Sequence, residues 1–317
     1  MTRAVVVERF GGPEHLRLTE KPEPHAGPGQ IRVHVTAAGL NPVDLRIAEG
    51  GPSAQKFGVV PPFVNGNDFA GVIDEVGDGV TGWMPGQRVY GGARCAAQTD
   101  HLIVDDPTIL NRTPDNLADE AAGSLDIAGR TALAGIRALR LDDSDIVLVS
   151  AAAGGVGVFA CQLARQTGAT VIGTASTGNH EFLRSLGVIP ISYGDGIDER
   201  IAEVAPSGLT AVFDANGVET IELGLTLGVP PERINSVADR AAAERLGALS
   251  VGRGTTPTSA VAEIAAAIAT GALRMYLDEI FPLERARDAY ERLASGHVRG
   301  KLALSLEPDA RQAGGRS

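Results

Sequence analysis

A glycine-rich segment that follows a continuous apolar run has the spacing of a dinucleotide-binding turn. The run Ile146–Val149 is followed, one residue later, by Ala-Ala-Ala-Gly-Gly-Val-Gly at residues 151–157. Gly154 would let the backbone approach a pyrophosphate at the positive end of the next helix, and Gly157 would let that helix pack on the strand. Ala151 stands where a first glycine is usual. We predict cofactor contacts from Ala153, Gly154, Gly155, Val156 and Gly157.

The residues beyond the second strand indicate which dinucleotide binds. A strand-like run, Thr170–Thr174, follows the turn and its helix, which favours a dinucleotide site over a plain strand–turn–helix corner. An NAD site expects a carboxylate about 20 residues after the turn, but Ala175–Thr177 has none. Ser176 and His180 would donate hydrogen bonds to a 2′-phosphate, although His180 also suits a solvated helix start. Tyr193 would cover the adenine, reach the phosphate or be partly buried. We predict NADPH rather than NADH.

Metal and nucleophile chemistry find little support in the sequence. Cys95 and Cys161 are the only cysteines, and the six histidines show no ligand spacing. The histidines are His15, His25, His34, His101, His180 and His297. No serine lies in a nucleophile-elbow setting, so a bound cofactor must carry the chemistry, and hydride transfer remains. We predict no metal site.

Composition and charge limit the other possibilities. A chain of 317 residues exceeds the size of one growing hydrophobic core, so we expect two domains. The net charge of -11 argues against a nucleic-acid partner. The opening run Ala4–Val7 is too short for a signal peptide, and Val261–Leu273 falls short of the roughly 20 residues that span a bilayer. With two separated cysteines, these features predict a cytoplasmic protein without a membrane partner.

The predicted elements change in character near residue 118. Before it, strand-like runs are interrupted by glycine and proline, which predicts a small barrel or sandwich. These runs are Ala4–Glu8, Leu16–Thr19, Ile31–Ala38, Gly71–Val76, Arg88–Tyr90 and His101–Val104. After it, helices and strands alternate, which predicts a doubly wound α/β domain with a parallel sheet.

The second half is predicted element by element. The strands are Ile146–Val149, Thr170–Thr174, Ile189–Ser192, Ala211–Asp214, Leu277–Ile280 and Lys301–Leu306, with further units near Arg233–Val237 and Leu249–Val251. The helices are Leu117–Leu141 with interruptions at Gly123 and Gly129, then Val156–Gln166, Glu181–Leu186, Asp198–Ala205, Thr258–Thr270 and Leu283–Leu293. The stretch 296–301 is expected to form a tight turn before the last strand, and the polar tail Ala310–Ser317 is expected to fray.

Several segments, taken together, carry a family resemblance. The most specific are Asn41–Asp44 and Ala151–Gly157. The others are Ala4–Val7, Gly11–Glu14, Ala38–Leu40, Gly66–Gly71, Gly86–Val89 and Gly296–Lys301. Up to about Leu306, the chain resembles the zinc-free, quinone oxidoreductase-like branch of the medium-chain dehydrogenase/reductase superfamily. The resemblance implies an α/β protein in which a GroES-like β-barrel catalytic domain is combined with a Rossmann domain.

The resemblance also implies how the domains are arranged along the chain. The GroES-like domain is expected to be discontinuous, at 1–117 and 275–317, around a Rossmann NAD(P)-binding domain at 118–274. An active cleft between the domains and a homodimer are usual in the family. Zinc-dependent relatives have a ligand histidine where this chain has Asn67.

Roles for individual residues follow from the same resemblance. Asn41 and Asp44 would line the nicotinamide end of the cleft, and Thr131 would lie near the cofactor ring. Asn41 would bind the substrate or the carboxamide, or else form an Asx turn, whereas Asp44 would more simply cap the following helix. Tyr90 is a candidate proton donor or substrate platform, or else a barrel tyrosine with a satisfied hydroxyl.

Three departures from the family pattern bear on substrate and cofactor. Leu45-Arg46 replaces the usual Trp-Lys. Arg130 replaces an apolar residue, so its charge would need a partner or an anionic substrate. The loop Thr177–His180 lacks the lysine or arginine that often accompanies NADPH preference.

We therefore predict an NADPH-dependent, zinc-independent oxidoreductase that transfers hydride to a quinone or a conjugated enone. Two related alternatives are a 2-alkenal or enoyl reductase and a biosynthetic tailoring reductase with a larger, anionic substrate. Arg46, Arg94 and Arg130 would suit the second. A non-catalytic NADPH-binding sensor or structural protein is the alternative of a different class.

Overall fold

The computed structural model describes residues 1–307, which form two compact units. The first unit consists of 1–127, 258–272 and the chain from Leu277 onward. The second unit consists of 128–257 and 273–276. This division places 118–127 and 258–272 with the first unit, whereas the sequence assigns them to the Rossmann domain, and the predicted domain bounds stay a prediction. The tail Ala310–Ser317 lies outside the described residues.

The elements are numbered here in chain order. The strands are β1 (Thr2–Val7), β2 (Leu16–Lys21), β3 (Ile31–Gly39), β4 (Phe63–Val64), β5 (Asp68–Val76), β6 (Arg88–Gly92), β7 (His101–Val104), β8 (Leu110–Arg112), β9 (Ile146–Val149), β10 (Thr170–Thr174), β11 (Ile189–Ile191), β12 (Ala211–Asp214), β13 (Ile234–Ser236), β14 (Leu277–Pro282) and β15 (Lys301–Ser305). The helices are α1 (Pro42–Glu49), α2 (Gly51–Phe57), α3 (Asp119–Ala122), α4 (Asp126–Leu139), α5 (Gly155–Gln166), α6 (His180–Ser185), α7 (Ile197–Val204), α8 (Val218–Thr226), α9 (Arg240–Leu246), α10 (Ala260–Ala269) and α11 (Ala286–Ala294). Within residues 1–307, no helix has the length and apolarity needed to cross a membrane.

Two sheets form the first unit, and they confirm the β-rich first half. The larger has the order β14-β15-β3-β5-β6-β8, with β7 also paired to β3, and the smaller has the order β2-β1-β4. In β3, the residues at alternate positions from Ile31 to Val35 are fully buried, as expected for a strand with one face on the core. The last strand, β15, pairs antiparallel with β3, which brings Leu302 next to Leu40 at the entrance to α1.

The second unit contains a five-stranded sheet in which every neighbouring pair is parallel, so the predicted doubly wound domain is confirmed. Its strand order is β11-β10-β9-β12-β13. Val147, Leu148 and Val149 are fully buried, which explains the continuous apolar run, because strands of a parallel sheet are covered on both faces. The carboxyl ends of these strands meet at one edge, where ligands bind in this type of sheet.

Two details of the predicted elements are wrong. The helical pattern at 117–141 does break at Gly123, but Gly129 lies inside α4, because tertiary packing outweighs the modest helix penalty of one glycine. The unit near Leu249–Val251 forms only an isolated bridge to Asn235 and not a strand. The pattern also did not reveal α8 and α9.

Candidate functional site

The predicted phosphate-binding turn lies at the carboxyl end of β9, in the middle of the parallel sheet. Gly154 is the N-cap residue of α5, which begins at Gly155. The backbone N–H groups in the first turn of a helix have no partner within that helix, and the helix dipole makes this end positive. These groups can therefore bind the pyrophosphate of a dinucleotide.

Close backbone packing requires glycine at one position of this turn. A Cβ atom at Gly157 would lie 2.2 Å from the carbonyl oxygen of Ala151 and 2.8 Å from the Cα of Ala152. A Cβ atom at Gly154 would meet only the Ala151 carbonyl oxygen, at 3.3 Å. Gly157 therefore holds α5 against the strand, whereas Gly154 leaves space in front of the helix, where a pyrophosphate would lie.

Ala151 adopts the left-handed backbone conformation that a glycine would adopt without strain. Its φ is +47°, which costs on the order of 1 kcal/mol for a residue with a Cβ. The turn keeps its shape because the N–H of Gly154 donates to the Ala151 carbonyl (2.9 Å) and the N–H of Ala152 donates to the Thr174 carbonyl (3.0 Å). The replacement of the first glycine is therefore tolerated at a local cost.

A buried carboxylate supports the same edge of the sheet. Asp214, the last residue of β12, accepts hydrogen bonds from the hydroxyl groups of Ser150 (2.8 Å) and Ser236 (2.6 Å). It also accepts from the backbone N–H groups of Asn216 (2.8 Å) and Gly217 (3.0 Å). Because Ser150 follows β9 and Ser236 ends β13, Asp214 links three strand ends and fixes the start of the turn.

The residues predicted to contact a 2′-phosphate lie beyond the ends of β10 and β11. Ser176 follows β10 and accepts a hydrogen bond from the Asn179 amide (3.3 Å). His180 begins α6, and its Nε2 lies 3.5 Å from the hydroxyl of Ser192, which follows β11. Tyr193 is the next residue, and its side chain is 62% exposed. The two loops therefore come together, and Tyr193 is exposed rather than partly buried.

Arg200 is a cation at this place that sequence reasoning missed. It lies on α7, and its guanidinium turns back to the loop after β11. Nε donates to the carbonyl of Ser192 (3.0 Å), and Nη2 donates to that of Gly194 (3.0 Å) and, at 3.5 Å, to that of Tyr193. All of these acceptors are backbone carbonyls of the loop after β11, and Ser192 of that loop lies 3.5 Å from His180. Only the fold brings this arginine to the loop.

Arg130 and Thr131 face a short turn within the second unit. The buried guanidinium of Arg130 donates from Nη2 to the carbonyl of Arg253 (3.2 Å) and to that of Thr256. The methyl group of Thr131 lies beside Gly252, where a Cβ would be 3.6 Å from Thr131 Cγ2. Arg130 therefore donates to two backbone carbonyls of this turn, and its expected role toward a substrate stays a prediction.

A cluster in the first unit is entirely buried, and we call it the buried polar network. Its members are Asn41, Asp44, Asn67, Asp68, Gln98, Tyr290 and Lys301, each of which is 4% exposed or less. Asn41 is the N-cap residue of α1, and its backbone N–H donates to the carboxylate of Asp44 (2.8 Å). Asp44 therefore stabilises the start of α1, as the capping interpretation predicts.

Asp44 is also the acceptor for side chains from distant segments. The Asn67 amide donates to it (2.6 Å), as does the Tyr290 hydroxyl (3.2 Å), and the Gln98 amide donates to that hydroxyl (2.7 Å). Burial raises the pKa of Asp44 above its usual value, although the hydrogen bonds from Asn67 and from the Asn41 backbone oppose the shift. Burial, followed by the charge of Asp44, raises the pKa of Tyr290.

Lys301 contacts two other members of the network, Asn41 and Asp68. Its Nζ donates to the carbonyl of Leu40 (2.6 Å) and to Oδ1 of Asn41 (2.5 Å), and it lies 3.7 Å from Oδ2 of Asp68. The amide nitrogen of Asn41 in turn donates to Asp68 (3.0 Å). Burial lowers the pKa of Lys301, while the charges of Asp68 and Asp44 oppose this shift.

Tyr90 lies on β6 and is buried, but its hydroxyl has no hydrogen-bond partner among the described residues. The described residues supply no partner for this hydroxyl, and the expectation of a satisfied barrel tyrosine stays a prediction. Burial raises the pKa of Tyr90 above its usual value, and the negative charge of Asp126 adds to this shift. Both effects make the hydroxyl a poorer acid at neutral pH.

Comparison with known proteins gives the family. Residues 27–123 match the family described as the alcohol dehydrogenase GroES-like domain, and residues 196–304 match the zinc-binding dehydrogenase family. The solved structure of the quinone oxidoreductase from Coxiella burnetii is 30% identical, with a TM-score of 0.87 over 96% of this chain and 99% of that chain. The chain belongs to the medium-chain dehydrogenase/reductase superfamily. Within it, the chain lies in the quinone oxidoreductase-like branch.

Two relatives are similar in sequence. The pikromycin polyketide synthase component PikAII of Streptomyces venezuelae is 32% identical over 91% of this chain, but the match covers 8% of that protein. The 2-haloacrylate reductase of a Burkholderia species is 34% identical over 71% of this chain and 69% of that protein. The chain thus spans a small part of the synthase component and about two thirds of the reductase.

Membership of the medium-chain dehydrogenase/reductase superfamily implies a nicotinamide dinucleotide cofactor. The residues present fit this cofactor, because the space in front of Gly154 and the N-terminus of α5 form a pyrophosphate cradle. The segment 153–157 would hold the pyrophosphate.

The turn and two candidate site residues in the buried polar network, Asn41 and Asp44, could be predicted from the sequence, whereas Gln98, Tyr290 and Lys301 could not. One signal was present for Lys301. It is one of three lysines in the chain, and it begins an apolar strand, where a solvated residue is not expected.

Proposed function

We propose that this protein is an NADPH-dependent, zinc-independent oxidoreductase that reduces a conjugated carbonyl compound, either a quinone or an enone. The observation that carries the proposal is the turn at 151–157, whose open Gly154 and helix N-terminus suit a pyrophosphate. The bound nicotinamide supplies the hydride. The protein residues bind and orient the reactants and stabilise the charge that develops on the acceptor oxygen.

Preference for NADPH is supported by the charges around the loop after β10. No carboxylate follows this strand in the segment Ala175–Thr177, so a 2′-phosphate meets no repulsion there. Ser176 and His180 offer hydrogen-bond donors, and Tyr193 offers an exposed aromatic face. Arg200 adds a positive charge at the loop after β11, where Ser192 lies 3.5 Å from His180.

On the substrate side, we propose different roles for the candidate catalytic residues. Asn41 has a second amide hydrogen beyond the one donated to Asp68, and it is the candidate donor to the acceptor oxygen. Asp44 holds the start of α1, and Arg130 holds the turn at Arg253. Both are positioning residues in this proposal. Because the pKa of Tyr90 is raised, we propose water as the proton source, with Tyr90 as an aromatic platform.

Reduction of an activated carbon–carbon double bond is the second candidate function. The similarity to a 2-haloacrylate reductase favours it, since that relative is named for a conjugated substrate. Similarity to a polyketide synthase component supports the related possibility of a tailoring reductase with a larger substrate. In both of these reactions, hydride goes to the β-carbon of the conjugated double bond. Reduction of a quinone instead gives a quinol.

The test is acceptor-dependent oxidation of NADPH with identification of the product. Purified protein is incubated with 1,4-benzoquinone, with 2-cyclohexenone and with 2-chloroacrylate, before and after treatment with a chelator. We expect turnover with the quinone or the enone, unchanged by chelation. Saturation of 2-chloroacrylate alone would favour the second function. Absence of NADPH oxidation with every acceptor would contradict both and indicate a nucleotide-binding protein without turnover. We also propose a homodimer, which the mass in solution tests.

A further inference from the structure

The ammonium group of Lys301 is surrounded by oxygen atoms in the manner of a bound cation. It donates to the carbonyl of Leu40 and to Oδ1 of Asn41, and the Asp68 carboxylate is 3.7 Å away. An ammonium has three donors, and three oxygen atoms from two chain segments surround it. Lys301 is only 4% exposed, and lysine is rarely buried to this extent unless it is paired.

The surroundings of Lys301 do not fit a zinc ion, although residues 196–304 match the zinc-binding dehydrogenase family. Zinc sites use thiolate, imidazole and carboxylate ligands. The structure of residues 1–307 contains no group of three or more such side chains placed to hold a metal. The amide of Asn67 donates its hydrogen to Asp44 (2.6 Å), so its nitrogen is not a ligand. The nearest groups to the cation are amide, carbonyl and carboxylate oxygens.

The ammonium group of Lys301 compensates the negative charge of Asp68 within the network. Asp68 is fully buried, and a buried carboxylate is unfavourable without a cation or strong hydrogen bonds. Asp68 accepts hydrogen bonds from the Asn41 amide (3.0 Å) and from the backbone N–H of Ile127 (3.1 Å). Lys301 supplies the positive charge beside it. The same ammonium fixes the orientation of the Asn41 amide, because a donor at Oδ1 leaves Nδ2 directed to Asp68.

We propose that Lys301 is the resident cation of this site, where it supplies the charge and the cross-link that a metal ion would otherwise provide and positions the amide of Asn41. Removal of the side chain beyond Cβ would then leave a pocket for a primary alkylammonium ion of the length of propylammonium. Lys301 is a positioning residue, since it contacts Asn41 and Asp68 rather than the cofactor.

The first test compares Lys301→Ala with Lys301→Met. Both variants lose the charge, and we expect the melting temperature of each to fall by on the order of 10 °C, as for a broken buried pair in a chain of this size. Propylammonium chloride should restore the melting temperature of Lys301→Ala in a saturable manner. It should not restore Lys301→Met, whose side chain fills the pocket. Equal concentrations of 1-propanol and of sodium chloride should have no effect.

Kinetics separate positioning from a purely structural role, and this part rests on the proposed function. At a temperature well below unfolding, kcat of Lys301→Ala should fall at least tenfold, with an unchanged Kd for NADPH, and propylammonium should restore it. A melting temperature restored by propylammonium while kcat stays low would overturn the positioning role. Because thermal unfolding needs no turnover, failure of the proposed function remains distinguishable from failure of this inference.

Metal analysis of the wild-type protein keeps the inference testable even if the variants do not fold. We expect no stoichiometric zinc after purification and no change in melting temperature after chelation. One zinc per chain, or a fall in melting temperature on chelation, would overturn the inference. So would a Lys301→Met variant with wild-type stability, or a folded Lys301→Ala variant that does not respond to propylammonium.

Discussion

The turn at 151–157 and the buried polar network fix polar groups by different means. The turn uses the backbone of consecutive residues, and close packing at Gly157 leaves no room for a side chain. The network uses side chains that are far apart in sequence, such as Asn41 and Lys301, which are separated by 260 positions. A site formed by the backbone can be recognised in a short stretch of sequence. A site formed by distant side chains can be identified only from the folded structure.

The largest effect should come from Gly157→Ala. The added Cβ would lie 2.2 Å from the Ala151 carbonyl oxygen, so α5 must move away from the strand, and we expect a loss of about 3 kcal/mol in the free energy of unfolding. Gly154→Ala is the control, because its Cβ meets only one atom, at 3.3 Å, and we expect a change within about 1 kcal/mol. Denaturant unfolding measures both. If both variants lose the same amount of unfolding free energy, position 157 has no special requirement for glycine.

Asn67→Ala tests the network by removing a donor to the buried carboxylate of Asp44. An acceptor that loses its partner in this way costs roughly 2 kcal/mol of unfolding free energy. Asn111→Ala is the matched control on β8, since Asn111 is also buried but makes only a long bond (3.4 Å) to a backbone carbonyl. If both variants unfold at the same denaturant concentration, the network contributes nothing beyond ordinary burial.

Arg200→Gln tests whether the charge of Arg200 contributes to binding of the 2′-phosphate of NADPH. Loss of the charge should raise the Kd for NADPH about tenfold, or about 1.4 kcal/mol, and leave that for NADH unchanged. Arg240→Gln, which removes an exposed arginine of the same unit, should change neither. Calorimetric titration decides, and an equal loss of affinity for the two nucleotides would contradict the assignment.

Two carboxylates, Asp145 at the amino end of β9 and Asp44 in the network, should respond to pH in opposite directions. Burial raises the pKa of Asp145, which precedes β9, but hydrogen bonds from Thr210, the Asp142 backbone and Arg233 outweigh it, so the folded pKa is lowered. Its stabilisation is present above the unfolded pKa of about 3.9 and is lost as pH falls through the folded value. The folded pKa of Asp44 is raised, so its contribution is present below the unfolded pKa and is lost as pH rises through the folded value.

Melting temperatures between about pH 3 and pH 7 measure this contrast. Asp145→Asn should flatten the loss of stability on the acid side. Asp44→Asn should flatten the loss as pH rises. If both substitutions change the melting temperature on the same side of the pH profile, the pKa values of Asp145 and Asp44 are not shifted in opposite directions.

The same difference explains what the sequence could and could not predict. The parallel sheet, the turn and the break at Gly123 follow from local patterns, because apolar runs and glycine spacing reflect the backbone. Gly129 misled the prediction, since packing of α4 outweighs the helix propensity of one residue. Lys301 and Arg200 each act on residues that only the fold places next to them, through β15 paired with β3 and through α7 folded back on β11.

The central claim is that the turn at 151–157 binds NADPH, and titration of the purified protein with NADPH and NADH tests it most directly. Gly154→Val is the companion variant, because its side chain would fill the space in front of α5 without displacing the strand. We expect NADPH to bind the wild type at least tenfold more tightly than NADH, or by about 1.4 kcal/mol, and we expect the variant to fold but to bind neither nucleotide. Unchanged binding by the variant, or no nucleotide binding by the wild type, would contradict it.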